Sequence, residues 1–280
     1  MNRDFDLEAI RRELVAPEDL SRHLLIGLYG RPGSGKTTFC ASAGKVKNGK
    51  PNTLIIDTES GVRSIRGAPG VKVFRVRQWI DIERIWHLLM ATDDMDGFED
   101  GVIAIDTLSS LLKMAISYIA GDHKVDMTRL ITEASSKVTL PEYGDAARKL
   151  GEIMNKFALL RDRATIIFTL HQRRGENISD AAEVIPDLTA AAYREFITIP
   201  DLLGYMTART EVDLLGNAKE EGFTNRLILK PSEKLESKDR ISGKWVDPSA
   251  MLPKEIINPN LAEILKEYRK GIKRAAPASA

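Results

Sequence analysis

Apolar residues fall along this chain in short unbroken runs separated by longer stretches of helical spacing. Residues 23–29 (HLLIGLY), 53–56 (TLII), 102–105 (VIAI) and 165–170 (TIIFTL) are apolar runs of strand length, and residues 71–76 (VKVFRV) alternate, so each predicts a strand. Residues 37–43, 81–91, 108–119 and 143–160 predict helices. In the second of these Ile82, Ile85, Leu88 and Leu89 form the apolar stripe, and Asp81 is the expected cap. Buried strands alternating with helices predict an α/β fold around a mainly parallel sheet, whose right-handed crossovers bring the loops to one edge.

The remaining segments are less regular. Residues 6–14 predict a short amphipathic helix carrying Leu7, Ile10 and Leu14, broken at Ala16-Pro17. Residues 121–140 show no apolar face. Residues 176–200, with Pro186 and Pro200, predict irregular structure, and residues 202–240 predict short antiparallel strands and turns. Asn258-Pro259-Asn260 is a helix-start signal for a basic helix, and the final AAPASA predicts a disordered tail. The expected organisation is a lead-in helix over 1–22, a core domain over 23–257, and a helix with its tail over 258–280.

Composition narrows the setting. The chain has 280 residues, of which 43% are hydrophobic and 29% charged, as in a folded soluble protein. A formal net charge of +1 provides no global basic field, so nucleic acid would have to be gripped by local loops or by several subunits together. The single cysteine, Cys40, is expected to be a buried packing residue. The four histidines lack metal-ligand spacing. With no long apolar run and no signal-like N-terminus, a reducing cytoplasm is the expected location.

The chemistry is concentrated after the first strand. Residues 30–37 read Gly-Arg-Pro-Gly-Ser-Gly-Lys-Thr, matching G-x-x-x-x-G-K-[ST] at every position between an apolar run and a helical stretch. Such a loop cradles the phosphates of a nucleoside triphosphate in its backbone N–H groups. Gly30, Arg31, Pro32, Gly33, Ser34, Gly35, Lys36, Thr37 and Thr38 are the expected ATP-binding residues. Lys36 would reach the β- and γ-phosphates, and the Thr37 hydroxyl would face Mg²⁺. The helix that follows adds its positive N-terminal end.

Two carboxylates follow from the same logic. Asp106 ends the run VIAI, 70 positions after Lys36, where a strand-tip carboxylate holds Mg²⁺ through water; an Asp there also caps a following helix. The residue after Asp106 is Thr107, so the glutamate that often follows that Asp in P-loop ATPases is missing. Asp57-Thr58-Glu59 ends the neighbouring strand, and parallel strands end at one edge, so Glu59 is the candidate to orient the attacking water. The alternative is a solvated loop carboxylate.

LIIDTES and VIAIDTLSSL resemble the second strand and the Walker B strand of the RecA/DnaB/KaiC class of P-loop ATPases. TIIFTLHQRRGEN is similar to its sensor strand, and ESKDRISGKW to its Lys-x-Arg element. The resemblance narrows to small phage RecA-like nucleotide-binding proteins, some of them single-strand annealing or recombination proteins, over most of residues 20–245. It implies a RecA-like P-loop NTPase core: a mainly parallel sheet flanked by helices, with C-terminal antiparallel strands. It also implies ATP hydrolysis with Mg²⁺, His171 and Gln172 as γ-phosphate sensors, and Lys238 and Arg240 inserted into the neighbouring subunit's site of a homo-oligomer. Arg240 is the better phosphate ligand by its fork geometry.

The resemblance further implies single-stranded DNA as partner, with a single-strand binding protein as a possible companion. DNA would be held at residues 121–140, through Lys124, Arg129 and Lys137, and at residues 172–184, through Arg173 and Arg174. Neither segment offers an aromatic for base stacking. The N-terminal DNA-binding domain, zinc finger and primase-interacting domain of larger relatives have no counterpart here. Two rival readings are a small-molecule P-loop kinase, which uses an Arg-bearing lid and no Glu at position 59, and a GTPase-like switch. Against the switch, the chain lacks Asn-Lys-x-Asp, and its Asp-x-x-Gly matches at 94–97, 201–204 and 213–216 are misplaced.

Overall fold

The apolar runs become the strands of one sheet. The computed structural model describes Leu14 and residues 22–93, 95–120, 139–175, 184–212, 218–232, 235–242 and 251–275. The helix expected over 6–14 (apart from exposed Leu14), residues 121–138 and the tail 276–280 lie outside the described residues.

The strands are β1 (Leu25–Gly30), a small hairpin of β2 (Val46–Lys47) and β3 (Lys50–Pro51), β4 (Thr53–Asp57), β5 (Val71–Arg75), β6 (Val102–Asp106), β7 (Thr165–Arg174), β8 (Val184–Pro186), β9 (Leu202–Val212), β10 (Ala218–Ile228), β11 (Lys238–Asp239) and β12 (Glu255–Ile257). The helices are α1 (Lys36–Ala41), α2 (Trp79–Ala91), α3 (Leu108–Ile119), α4 (Leu140–Leu159), α5 (Ala190–Thr198) and α6 (Leu261–Ala275). The main sheet runs β5-β4-β6-β7-β1-β9-β10-β12. Its first six strands are mutually parallel, and β10 and β12 extend it antiparallel.

The apolar runs are continuous because both faces of the sheet are covered. Leu25 and Tyr29 of β1 pack into the core shared with α2, α3, α4 and α5, while Ile26 and Leu28 pack into the core shared with α1 and α6. Full burial of such a side chain contributes about 1.5–3 kcal/mol. Gly27 interrupts the run where α5 presses on the sheet: a Cβ there would come 2.9 Å from both Phe196 and Leu203. No helix among the described residues is long and apolar enough to cross a membrane.

Several expected elements shift. Helix α2 begins at Trp79 rather than at Asp81, because Gln78 is the cap and Asp81, three residues in, accepts the backbone N–H groups of Arg77 and Gln78. Helix α4 begins at Leu140 rather than at Tyr143, since Thr139 and Glu142 form a capping box and Pro141 is tolerated in the first turn. Residues 190–198, expected to be irregular, form α5, with Ala192 and Phe196 buried one turn apart. The short strands expected over 202–240 are instead the long pair β9 and β10. Strand β7 continues through His171 to Arg174 because β8 pairs with it, so Arg173 and Arg174 stand on a strand rather than opening a loop.

Candidate active site

Register brings the candidate residues to one edge. Gly30 at the end of β1 lies opposite His171 of β7, and Asp57 at the end of β4 lies opposite Asp106 of β6. The chain then turns sharply into α1, with Gly33 at φ +77° and Gly35 at φ +90°, backbone that favours glycine. Gly30 is confined differently: a Cβ there would meet the Met206 carbonyl oxygen at 2.1 Å.

Lys36 is buried and its ammonium donates to the carbonyls of Gly30 and Arg31, both at 2.9 Å. Burial lowers its pKa, while the Asp106 and Glu59 carboxylates act in the opposite direction. Thr37 Oγ1 donates to Asp106 Oδ2 at 2.5 Å, and the Thr169 hydroxyl donates to the other carboxylate oxygen. The Asp106–Thr107 peptide is cis. Asp57 is almost fully buried beside Asp106. Its Oδ1 accepts the N–H groups of Glu59 and Gly61, its Oδ2 has no hydrogen-bond partner, and burial raises its pKa.

Glu59 is held by a cage of donors. Thr58 and Thr107 join the two strand ends: Thr58 N–H donates to the Asp106 carbonyl, and the two threonines exchange bonds of 2.7 and 2.9 Å. Beyond that junction Glu59 Oε1 accepts from Ser110 Oγ at 2.5 Å, Thr107 Oγ1 at 2.7 Å and His171 Nε2 at 2.6 Å. Burial pushes the Glu59 pKa up, but the bonds from His171, Ser110 and Thr107 outweigh it and hold the group at about 2. His171 is itself seated by Ser109 of α3, whose Oγ accepts the His171 N–H at 3.1 Å and donates to the Asp187 carbonyl at 3.0 Å.

Gln172 faces a different group. Its Oε1 accepts from the Tyr205 hydroxyl at 2.9 Å, Tyr205 packs against Tyr29 with ring centroids 5.2 Å apart, and Tyr29 donates to the Glu236 carbonyl at 2.8 Å. Lys238, two residues on, donates its ammonium to the carbonyls of Ile197 and Thr198 at the end of α5. Burial, then repulsion from Arg240, lowers its pKa to about 8. Arg240 is exposed. Asp239 pairs with Leu202, which pairs with Ile26, so this segment lies four residues back from Gly30 along the sheet, roughly 13 Å at the rise of a strand.

Lys36, Thr37, Asp106, Glu59 and His171 therefore meet, with Gln172 beside them. Lys238 and Arg240 lie toward the other edge. Arg173 and Arg174 are exposed at the end of β7, and Lys124, Arg129 and Lys137 lie outside the described residues. Thr107, Ser110, Thr169 and Asp57 were not singled out from sequence. The signal for Thr107 and Ser110 is their place at the cap and in the first turn of the helix that follows Asp106, where a helix start faces the strand ends.

A family model described as an AAA domain matches residues 22–241 of the chain. No curated protein matches it.

Proposed function

The chain belongs to this AAA-domain family of P-loop ATPases, and from that premise we propose a Mg²⁺-dependent, RecA-like ATPase that acts as an oligomer on single-stranded DNA, in phage recombination or replication. The observation that carries the ATPase assignment is the convergence of Lys36, the Thr37–Asp106 pair and Glu59 at one sheet edge.

The residues suit the metal. Thr37 and Asp106 offer hard oxygens, and among the described residues no cluster of three His, Cys, Asp or Glu side chains could hold an ion alone, so phosphate oxygens would complete the set. When bound, Mg²⁺ offsets charge on the β- and γ-phosphates. A phosphate oxygen is a stronger acceptor for Lys36 than the two carbonyls it now meets. Glu59 is ionised at neutral pH and orients the water. Water forms the new P–O bond, the bond to the ADP oxygen breaks, and the proton passes toward the carboxylate or the released phosphate. A carboxylate held near 2 is a weak base, so transfer of His171 from Glu59 to the γ-phosphate would raise its proton affinity at the moment of use.

The oligomer and the DNA partner follow from the resemblance and from two exposed cationic segments. Arg240 is exposed and out of reach of its own loop, which favours action in a neighbouring site. Arg173 and Arg174 are exposed near the sensor strand's end, where phosphates could be held electrostatically; being adjacent on a strand, they point to opposite faces. A single-strand binding protein is the companion this reading expects, and the host cytoplasm the location.

The test is ATP turnover with and without single-stranded DNA at two salt concentrations. Stimulation by DNA that is lost at high salt is the expected result. Turnover indifferent to DNA but dependent on a small-molecule acceptor would favour a kinase instead.

A further inference from the structure

Asp57 closes β4 and is almost out of water, 2% exposed. Its backbone is fixed from both sides. It lies in register with Asp106 of β6, and its carbonyl accepts the Val76 N–H at 2.9 Å just past β5. From this anchor the carboxylate reaches forward along the chain: Oδ1 accepts the N–H of Glu59 at 3.1 Å and of Gly61 at 3.2 Å. Aspartate stabilises turns in this way. Ser60, between the two donors, takes φ +60°, a left-handed conformation that costs a residue with a side chain about 1–2 kcal/mol. The turn that carries Glu59 is therefore one that needs holding, and Asp57 holds it.

The cage described above grips the other end of Glu59. Its three bonds, from Thr107, Ser110 and His171, all meet Oε1. A side chain gripped at one atom is free to swing about that atom unless its backbone is fixed as well. In the hydrolytic step proposed above His171 leaves Glu59 for the γ-phosphate, so one of the three bonds goes at the moment when aim matters most. The two bonds to Asp57 Oδ1 do not involve the nucleotide and stay. Asp57 Oδ2 has no hydrogen-bond partner among the described residues, so the bonding of this carboxylate within the turn falls on Oδ1 alone.

We propose that Asp57 is a positioning residue for the hydrolytic step: its Oδ1 fixes the backbone from which Glu59 aims at the attacking water. The inference rests on the reading of Glu59 as the water-orienting group and deepens it. Asp57 acts through Glu59, so its effect falls on kcat and leaves nucleotide affinity alone. It needs an acceptor oxygen at Oδ1 and no negative charge, so asparagine serves in its place.

The experiment is steady-state ATP hydrolysis, ADP titration and Mg²⁺ dependence for the native chain, Asp57→Ala, Asp57→Asn, Glu59→Gln and the Asp57→Ala/Glu59→Gln double variant. Urea unfolding checks that each is folded. Asp57→Ser, whose hydroxyl makes the same turn more weakly, replaces the Ala variant if that one is unfolded, with a loss of about tenfold expected. For Asp57→Ala the expected result is kcat lower by about 10- to 100-fold, the scale of an ångström's misplacement, with ADP affinity and KM within about threefold. Asp57→Asn should recover turnover to within about threefold of native. In the double variant Asp57→Ala should add less than about twofold to the loss from Glu59→Gln, because a residue that works through Glu59 has nothing left to aim.

A full additional loss in the double variant overturns the inference, as does a deficit that raised Mg²⁺ restores, since Asp57 would then act on the metal. An Asn variant as slow as the Ala variant overturns it too, because charge would then be what matters. If Glu59→Gln is inactive while Asp57→Ala turns over like the native chain, the inference falls and the Glu59 reading stands. If Glu59→Gln turns over like the native chain, both fall.

Discussion

His171 Nε2 lies 2.6 Å from Glu59 Oε1, joining residues 112 positions apart in sequence. The bond ties the turn after β4 to β7, the two strands flanking β6 and its Asp106. The proposed water-orienting group and the proposed sensor are thus one hydrogen-bonded unit, and a change at either is felt at the other.

Glu59→Gln should lower ATP turnover by about 10²–10⁴-fold, the range for losing a positioned acid–base group, while nucleotide binding survives. Turnover and ADP titration on the same preparation check this. Undiminished hydrolysis would remove Glu59 from the mechanism.

His171→Ala removes the strongest of the bonds that lower the Glu59 pKa, so that value should rise from about 2 toward its ordinary 4.5. The stabilisation Glu59 contributes to the native fold is complete above about 4.5 and is lost as pH falls from there toward 2. The variant should therefore be less stable than the native chain at pH 7, with the gap closing in acid. Urea unfolding at pH 7 and at about pH 3 reads the sign.

Gly35→Ala forces a side chain into φ +90° and against Asn225. The expected cost is about 1–3 kcal/mol of stability together with weaker nucleotide binding. Gly33→Ala, also at positive φ but with open space around its Cβ, should cost less. Comparing the two urea midpoints separates backbone strain from the clash.

Lys238→Ala and Arg240→Ala should behave differently. Lys238 bonds the carbonyls at the end of α5, so its loss should destabilise the fold by about 1 kcal/mol. Arg240 is exposed, and its loss should leave the melting temperature unchanged while turnover falls. If it acts in a neighbour's site, mixing inactive Arg240→Ala chains with inactive Lys36→Ala chains should restore part of the activity. Mixtures as inactive as their components would count against an in-trans role.

Much of this protein is written locally. The phosphate-loop motif, the continuous apolar runs before Asp57, Asp106 and His171, and the helix over 108–119 are each determined by neighbours in sequence. A strand buried on both faces and a loop needing glycine at positive φ leave unambiguous local signatures. Helix α5 was not legible because Pro186 and Pro200 obscured a nine-residue amphipathic segment whose burial depends on Gly27 across the sheet. The long β9–β10 pair and the extension of β7 were hidden for a similar reason: polar strand residues are held by a partner strand rather than by their own pattern. What only the tertiary structure decided is which polar groups meet. The cage around Glu59 joins β4, α3 and β7, and Asn225 reaches Gly35 from β10, because parallel register aligns the strand ends and brings together side chains that sequence spacing does not relate.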